Sequence, residues 1–171
     1  MSQMTYRVGV VGLGAVGTRM IGTMQAHERF EVIAGFDASP AAVTALNEQA
    51  PTGDFDALLS RDDIDVLYVS TPPKSHADYV RHGIAKGWKI FCEKPLGVDV
   101  LDSQRLTAEM DASGLGQAVN FVYSGAPAAR RAKQMINDGV IGDVLGAELD
   151  VRLSRWPRAF QSHAAWLSKR A

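Results

Sequence analysis

The sequence predicts an α/β fold, a doubly wound parallel sheet followed by the truncated start of an α+β unit. Three observations carry this. Short apolar runs alternate with amphipathic segments from Tyr6 to Tyr123, which is how strand–helix–strand units read. A glycine-rich turn joins the first run to the first helix, and an acid, Asp37, closes the second run. After Tyr123 the pattern changes to one helix and then strict alternation of apolar and polar residues.

Taken in order, Tyr6 to Val11 is β-rich and ends in glycines, and Ala15 to Ala26 follows with Val16, Met20, Ile21 and Met24 on one helical face. Phe30 to Phe36 is the next strand; Ser39 then suits an N-cap, with Pro40 at the first helical position. Asp54 to Leu59 reads as a short helical or irregular connection. Val66 to Val69 is a buried strand that runs into Thr71-Pro72-Pro73, and a helix from about His76 to Lys86 turns Tyr79, Val80, Gly83 and Ile84 inward. Lys89 to Cys92 is a strand, Val100 to Ala112 a helix and Gln117 to Tyr123 the last strand of the sheet.

The remaining pattern differs in kind. Pro127 to Asn137 is a helix ended by Gly139, and Leu145, Ala147, Leu149, Val151 and Leu153 alternate with polar residues or glycine. That period of two describes a strand wet on one face, as antiparallel sheets have. The expected division is therefore 1–123 for a dinucleotide-binding unit and 124–171 for a helix and the first strand of an incomplete second unit. One strand cannot make a sheet with its own core.

Composition excludes several classes. Of 171 residues, 46% are hydrophobic and 22% charged, the balance of a globular domain, and a formal charge of −1 offers no attraction for nucleic acid or an acidic membrane. The single cysteine, Cys92, rules out an intrachain disulfide. No segment resembles a signal peptide or a membrane span, so a cytoplasmic protein is expected. No His/Cys/Asp/Glu cluster has metal-ligand spacing, and no metal is expected.

The chemistry concentrates at strand ends. Gly12-Leu13-Gly14-Ala15-Val16-Gly17 fits G-x-G-x-x-G between a strand and a helix, the context that gives the pattern meaning. Gly12 permits the tight turn, Gly14 lets the backbone approach a pyrophosphate, and Gly17 lets the helix pack on the strand. This is the fingerprint of a Rossmann unit holding NAD or NADP. Asp37 lies twenty positions after Gly17, where an acid accepts hydrogen bonds from the adenosine ribose and repels a 2′-phosphate. No Arg or Lys follows among Ala38, Ser39 and Pro40, so NAD is preferred, with NADP kept open. Thr71 stands where ligands of such sheets bind, and His76 fits either a cofactor contact or packing at a helix start. Lys94 suits proton transfer at a substrate oxygen, or is simply an exposed residue after a strand.

The string Phe91-Cys92-Glu93-Lys94-Pro95-Leu96, after Thr71-Pro72-Pro73-Lys74-Ser75-His76 and the glycine turn, resembles the Gfo/Idh/MocA family of oxidoreductases. The resemblance covers about Tyr6 to Leu153. It implies a Rossmann unit followed by an open, mostly antiparallel substrate unit, and hydride transfer between a nicotinamide and a hydroxyl carbon of a sugar, polyol or cyclic diol. It implies that Lys94 is catalytic and lies near nicotinamide and substrate with Glu93 supporting it, that Thr71 and Pro72 border the cofactor with His76 nearby, and that the Lys94–Pro95 bond is cis. Two departures stand out. Ser124 replaces an Arg common in the family, and the family's second-unit His and Asp have no counterpart before Ala171. His163 lacks the surrounding pattern to replace that His. The alternative reading is a non-catalytic dinucleotide-binding module, or relic, without a substrate unit. The tail residues Trp156, Pro157, Arg158, Phe160 and Trp166 fit a substrate cleft, a subunit interface or exposed core. A third reading is a small enzyme whose lone strand pairs across a symmetric homodimer, which removes the open edge.

Overall fold

The computed structural model describes residues 4–46 and 53–150. Two compact units follow one another along the chain, Met1–Asn120 and Phe121–Ala171. In the first, strands β1 (Tyr6–Val11), β2 (Phe30–Phe36), β3 (Val66–Val69), β4 (Lys89–Cys92) and β5 (Gln117–Val119) form one sheet in the order β2-β1-β3-β4-β5. Every neighbouring pair is parallel. The strands are linked through helices α1 (Ala15–Gln25), α2 (Pro40–Leu46), α3 (Phe55–Leu59), α4 (His76–Ala85) and α5 (Val100–Ser113).

Side-chain alternation along the strands divides the core in two. Val8, Val10, Val32 and Tyr68 pack with Ile21 and Met24 of α1. Val11, Ala34, Leu67, Val69, Ile90 and Cys92 pack with Leu58 of α3, Val80 of α4, and Leu106 and Met110 of α5. Neighbours such as Leu67 and Tyr68 belong to different clusters, so both faces of the sheet are covered, as a parallel sheet requires. Val32 and Ala34 break the alternation because the register shifts between Val8 and Gly9, leaving Ile33 as an extra residue in β2.

Local chemistry sets the helix ends. The Asp54 carboxylate accepts from Ala57 N at 2.7 Å to start α3, and Asp99 accepts from Asp102 N at 2.7 Å to start α5. Gly114, at φ 65°, ends α5. Helix α2 begins at Pro40 after Ser39, as the sequence predicts.

Two expectations are corrected. The last strand ends at Val119, not Tyr123, because its partner ends at Cys92 opposite Val119; Val122–Gly125 instead form a 3-10 turn. That turn also contains the expected boundary at residues 123 and 124. In the second unit, α6 (Pro127–Asn137) closes at Gly139 (φ 71°), where Gly139 N donates to Ile136 O and Val140 N to Met135 O. Val144 to Asp150, the described part of the alternating segment, carries no strand, and Leu145 is 98% exposed. A strand is stable only beside another, and no ladder forms there among the described residues. Val151 to Leu153 and the tail with Trp156, His163 and Trp166 lie outside the described residues. Among those described, no helix is long and apolar enough to cross a membrane.

At the amino edge of the sheet Asp65 accepts from Arg7 N at 2.8 Å and Arg7 Nε at 3.2 Å. These hydrogen bonds, the side-chain one first, hold its carboxyl below the usual carboxylate range. A lowered folded-state value adds stability that is complete above the unfolded value of about 3.9 and disappears as pH falls through the folded value. Unfolding measured from neutral pH downward should therefore show a smaller acid-induced loss for Asp65→Asn than for the parent; equal losses would contradict this assignment.

Candidate functional site

The strand order reverses between β1 and β3, so a crevice opens at their carboxyl ends, where ligands of such sheets bind. Gly12 stands at the end of β1 with φ 94°, and a Cβ there would lie 2.6 Å from the Ser70 carbonyl carbon. A Cβ on Gly17 would come 1.9 Å from Gly12 O. Both positions are closed to any larger residue, which draws α1 tightly onto the sheet. Ser70 Oγ donates to Gly12 O at 2.7 Å and ties the turn to β3. Gly14 differs: a Cβ there meets nothing within 4 Å. Gly14, Ala15 and Val16 are exposed, and Gly14 caps α1 without a side-chain hydrogen bond. The first N–H groups of α1 lack intrahelical acceptors and open on the crevice side of the turn, a cradle of the kind that holds a phosphate. Leu13 itself is buried, so within the motif its N–H rather than its side chain serves the site.

The Asp37 carboxylate joins this cradle. Its Oδ2 accepts from Leu13 N at 2.7 Å and its Oδ1 from Ser39 N at 2.7 Å. Among the described residues each oxygen accepts one hydrogen bond and keeps a free lone pair, the arrangement that accepts two adjacent hydroxyls. Next to it Phe36 packs against Tyr79, with ring centroids 6.3 Å apart. Burial and then the nearby Asp37 charge raise the Tyr79 hydroxyl above its ordinary value. The residues present fit an adenosine diphosphate group: backbone donors for the phosphates and a pinned carboxylate for the ribose.

The loop after β3 carries Thr71, half-buried, and Pro72, exposed, with Ser75 Oγ donating to Thr71 Oγ1 at 2.9 Å. His76 does not share that exposure. It has no accessible surface; its Nε2 lies 2.7 Å from Thr71 O and its Nδ1 3.1 Å from Leu96 O. Of the two roles open to it from sequence, this geometry matches packing, and it differs from the direct cofactor contact expected there. The reason is that the ring is enclosed between two main-chain carbonyls from separate loops, one of which takes its N–H.

At the end of β4 the chain turns outward. Lys94 is exposed, Glu93 is buried and the Lys94–Pro95 bond is cis, as the resemblance implies. Glu93 Oε1 accepts from Tyr68 Oη at 2.8 Å and from Asn120 Nδ2 at 2.5 Å, while Oε2 takes a longer bond from Lys94 N at 3.3 Å. Burial, and then Glu93, push the Tyr68 hydroxyl well above its ordinary value. Burial pushes the Cys92 thiol up to about 12, so it stays protonated and unreactive. Beyond Pro95, an open groove of about 630 Å³ is lined by Pro95, Val98, Val100, Gln104 and Thr107, and none of the glycine-turn residues reaches it. Among the described residues no group of His, Cys, Asp or Glu is arranged to hold a metal.

Sequence reasoning missed Ser70, Tyr68 and Asn120. Asn120 reads as lying inside the last strand, and it closes that strand only because β5 ends at Val119. Tyr68 was masked by its apolar run.

Comparison with known proteins agrees with this architecture. Residues 6–121 match the family model described as an oxidoreductase family with an NAD-binding Rossmann fold, named for Gfo, Idh and MocA. A 1-carboxy-3-chloro-3,4-dihydroxycyclohexa-1,5-diene dehydrogenase of Comamonas testosteroni is 30% identical over 81% of this chain and 36% of its own. An inositol 2-dehydrogenase of Rhizobium meliloti is 31% identical over 91% of this chain and 47% of its own. A 3-ketoreductase of Actinomadura kijaniata, solved with NADP and TDP-benzene, superposes with a TM-score of 0.71 at 30% identity, over 81% of this chain and 44% of that one. The chain thus spans less than half the length of these relatives.

The turn geometry separates two glycines by experiment. Gly17→Ala should cost about 2 kcal/mol or more in unfolding free energy through overpacking, and Gly14→Ala within about 0.5 kcal/mol. Similar losses for both would show that the close approach at Gly17 is not the governing contact.

Proposed function

The chain belongs to the Gfo/Idh/MocA family of oxidoreductases, and on that premise we propose that it is the cofactor-holding part of an NAD(P)-dependent dehydrogenase. Its substrate in this reading carries a secondary hydroxyl, as on a sugar, polyol or cyclic diol. One observation supports it above the others: the glycine turn with Asp37 and the exposed Lys94 stand along the same carboxyl edge of one sheet. Two relatives, by their names, act on an inositol and on a dihydroxylated cyclohexadiene, which supports a cyclic hydroxyl compound as the class.

The bound nicotinamide supplies the hydride acceptor or donor. The rest of the chemistry falls to this chain. The N–H groups of Gly14, Ala15 and Val16 hold the pyrophosphate, and Asp37 holds the adenosine ribose and disfavours a 2′-phosphate. Thr71 and Pro72 border the nicotinamide half. Lys94, as the neutral amine, takes the hydroxyl proton as a carbinol is oxidised, and as the ammonium returns it in the reverse direction. Glu93 supports Lys94 from within. The division at residues 123 and 124 keeps its proposed meaning, a cofactor unit followed by the start of a substrate unit. The cofactor belongs to intracellular metabolism, which supports a cytoplasmic location.

A panel of sugars, polyols and cyclic diols, assayed through nicotinamide absorbance, tests the reading. In the protein that also carries the substrate unit, turnover that Lys94→Ala lowers by about 10²–10⁴ while ADP-ribose affinity stays within a few-fold is the expected result. NADH binding with no turnover on any of them would favour the non-catalytic dinucleotide module instead.

A further inference from the structure

Glu93 is the buried acid among the described residues of the cofactor unit, and the way it is satisfied has a consequence for its neighbour. It lies just beyond β4, the strand flanked by β3 and β5. One donor reaches its carboxylate from each flank: Tyr68 Oη from β3 at 2.8 Å and Asn120 Nδ2 from the residue after β5 at 2.5 Å. Both converge on Oε1. Tyr68 has no accessible surface, and Asn120 is itself pinned by its N–H, which donates to Cys92 O at 2.8 Å. Glu93 is 8% exposed and holds no ion pair among the described salt bridges, so these neutral donors carry the solvation of its carboxylate.

Lys94 N donates to Glu93 Oε2 at 3.3 Å, so the carboxylate held by two strands also holds the backbone from which the exposed Lys94 side chain departs. Without the donors, a buried carboxylate short of partners gains by turning towards water, and that rotation would carry Lys94 away from the edge.

We propose that Tyr68 and Asn120 are positioning residues, acting through Glu93 to aim Lys94 at the nicotinamide half of the cofactor. This rests on the cofactor reading above. Neither residue touches the cofactor in this account; their effect is selective for the half that Lys94 faces.

The test compares the full chain with Tyr68→Phe and Asn120→Leu, each of which removes the donor and nearly keeps the volume. Two ligands are titrated, NADH and ADP-ribose, which lacks the nicotinamide, and the fluorescence enhancement of bound NADH is recorded. The expected result is that NADH affinity falls about fivefold to tenfold and the enhancement drops, while ADP-ribose affinity stays within about twofold. Should one variant fail to fold, the other carries the same expectation. Unchanged NADH affinity and fluorescence, or an equal loss for both ligands, would overturn the proposal and leave the network a purely structural role; so would loss of ADP-ribose binding in both variants. If the parent chain binds neither ligand, the cofactor reading itself fails, an outcome distinct from a parent that binds and variants that do not discriminate.

Discussion

The contact on which the site depends is the approach of α1 to the end of β1. A Cβ at Gly17 would stand 1.9 Å from Gly12 O, so the first turn of the helix and the last residue of the strand meet backbone to backbone. Only glycine permits this, and its effect reaches beyond packing. It brings the unpaired N–H groups of α1 to the crevice between β1 and β3, and it places Leu13 N where Asp37 accepts it at 2.7 Å. The turn is then held from three strands at once: by the chain itself from β1, by Phe36 O and Asp37 at the end of β2, and by Ser70 after β3. A loop fixed from three sides is preorganised, and binding to it loses little conformational entropy.

The second half of the edge is held differently. Lys94 lies on a short loop between β4 and α5, and buried polar groups hold that loop on either side of it. Glu93 is bonded to Tyr68 and Asn120 before Lys94, and Leu96 O meets His76 after it. Through its other nitrogen His76 meets Thr71 O, so the loops that follow β3 and β4 share one buried imidazole. Movement of one loop is thereby felt by the other, and the two parts of the crevice are mechanically joined within the cofactor unit.

Much of this was legible in the amino-acid order. Apolar periodicity located the strands from Tyr6 to Cys92 because each is a short buried run bounded by Gly, Pro or Asp. The glycine turn and Asp37 were readable because backbone geometry restricts what can stand there. Other features were not readable because they depend on partners distant in sequence. The length of β5 is set by where β4 stops, not by the apolar residues Phe121 to Tyr123. Leu145 and Leu149 alternate as a strand would, yet periodicity states only which face would be buried, not that a neighbour exists to bury it. His76 looked like a helix-start residue with a choice of roles; its burial follows from Leu96 O, twenty residues away. Tyr68 and Asn120 become a pair only because β3 and β5 flank β4.

The central claim is that Asp37, pinned between Leu13 N and Ser39 N, makes the glycine turn a site for NAD with an unmodified adenosine ribose. Titration calorimetry of this chain with NADH and with NADPH tests it most directly. A second anionic group against a fixed carboxylate should cost at least about tenfold in affinity, so NADH should bind the tighter by that factor or more. Equal affinities, or a preference for NADPH, would contradict the assignment of Asp37 to the ribose.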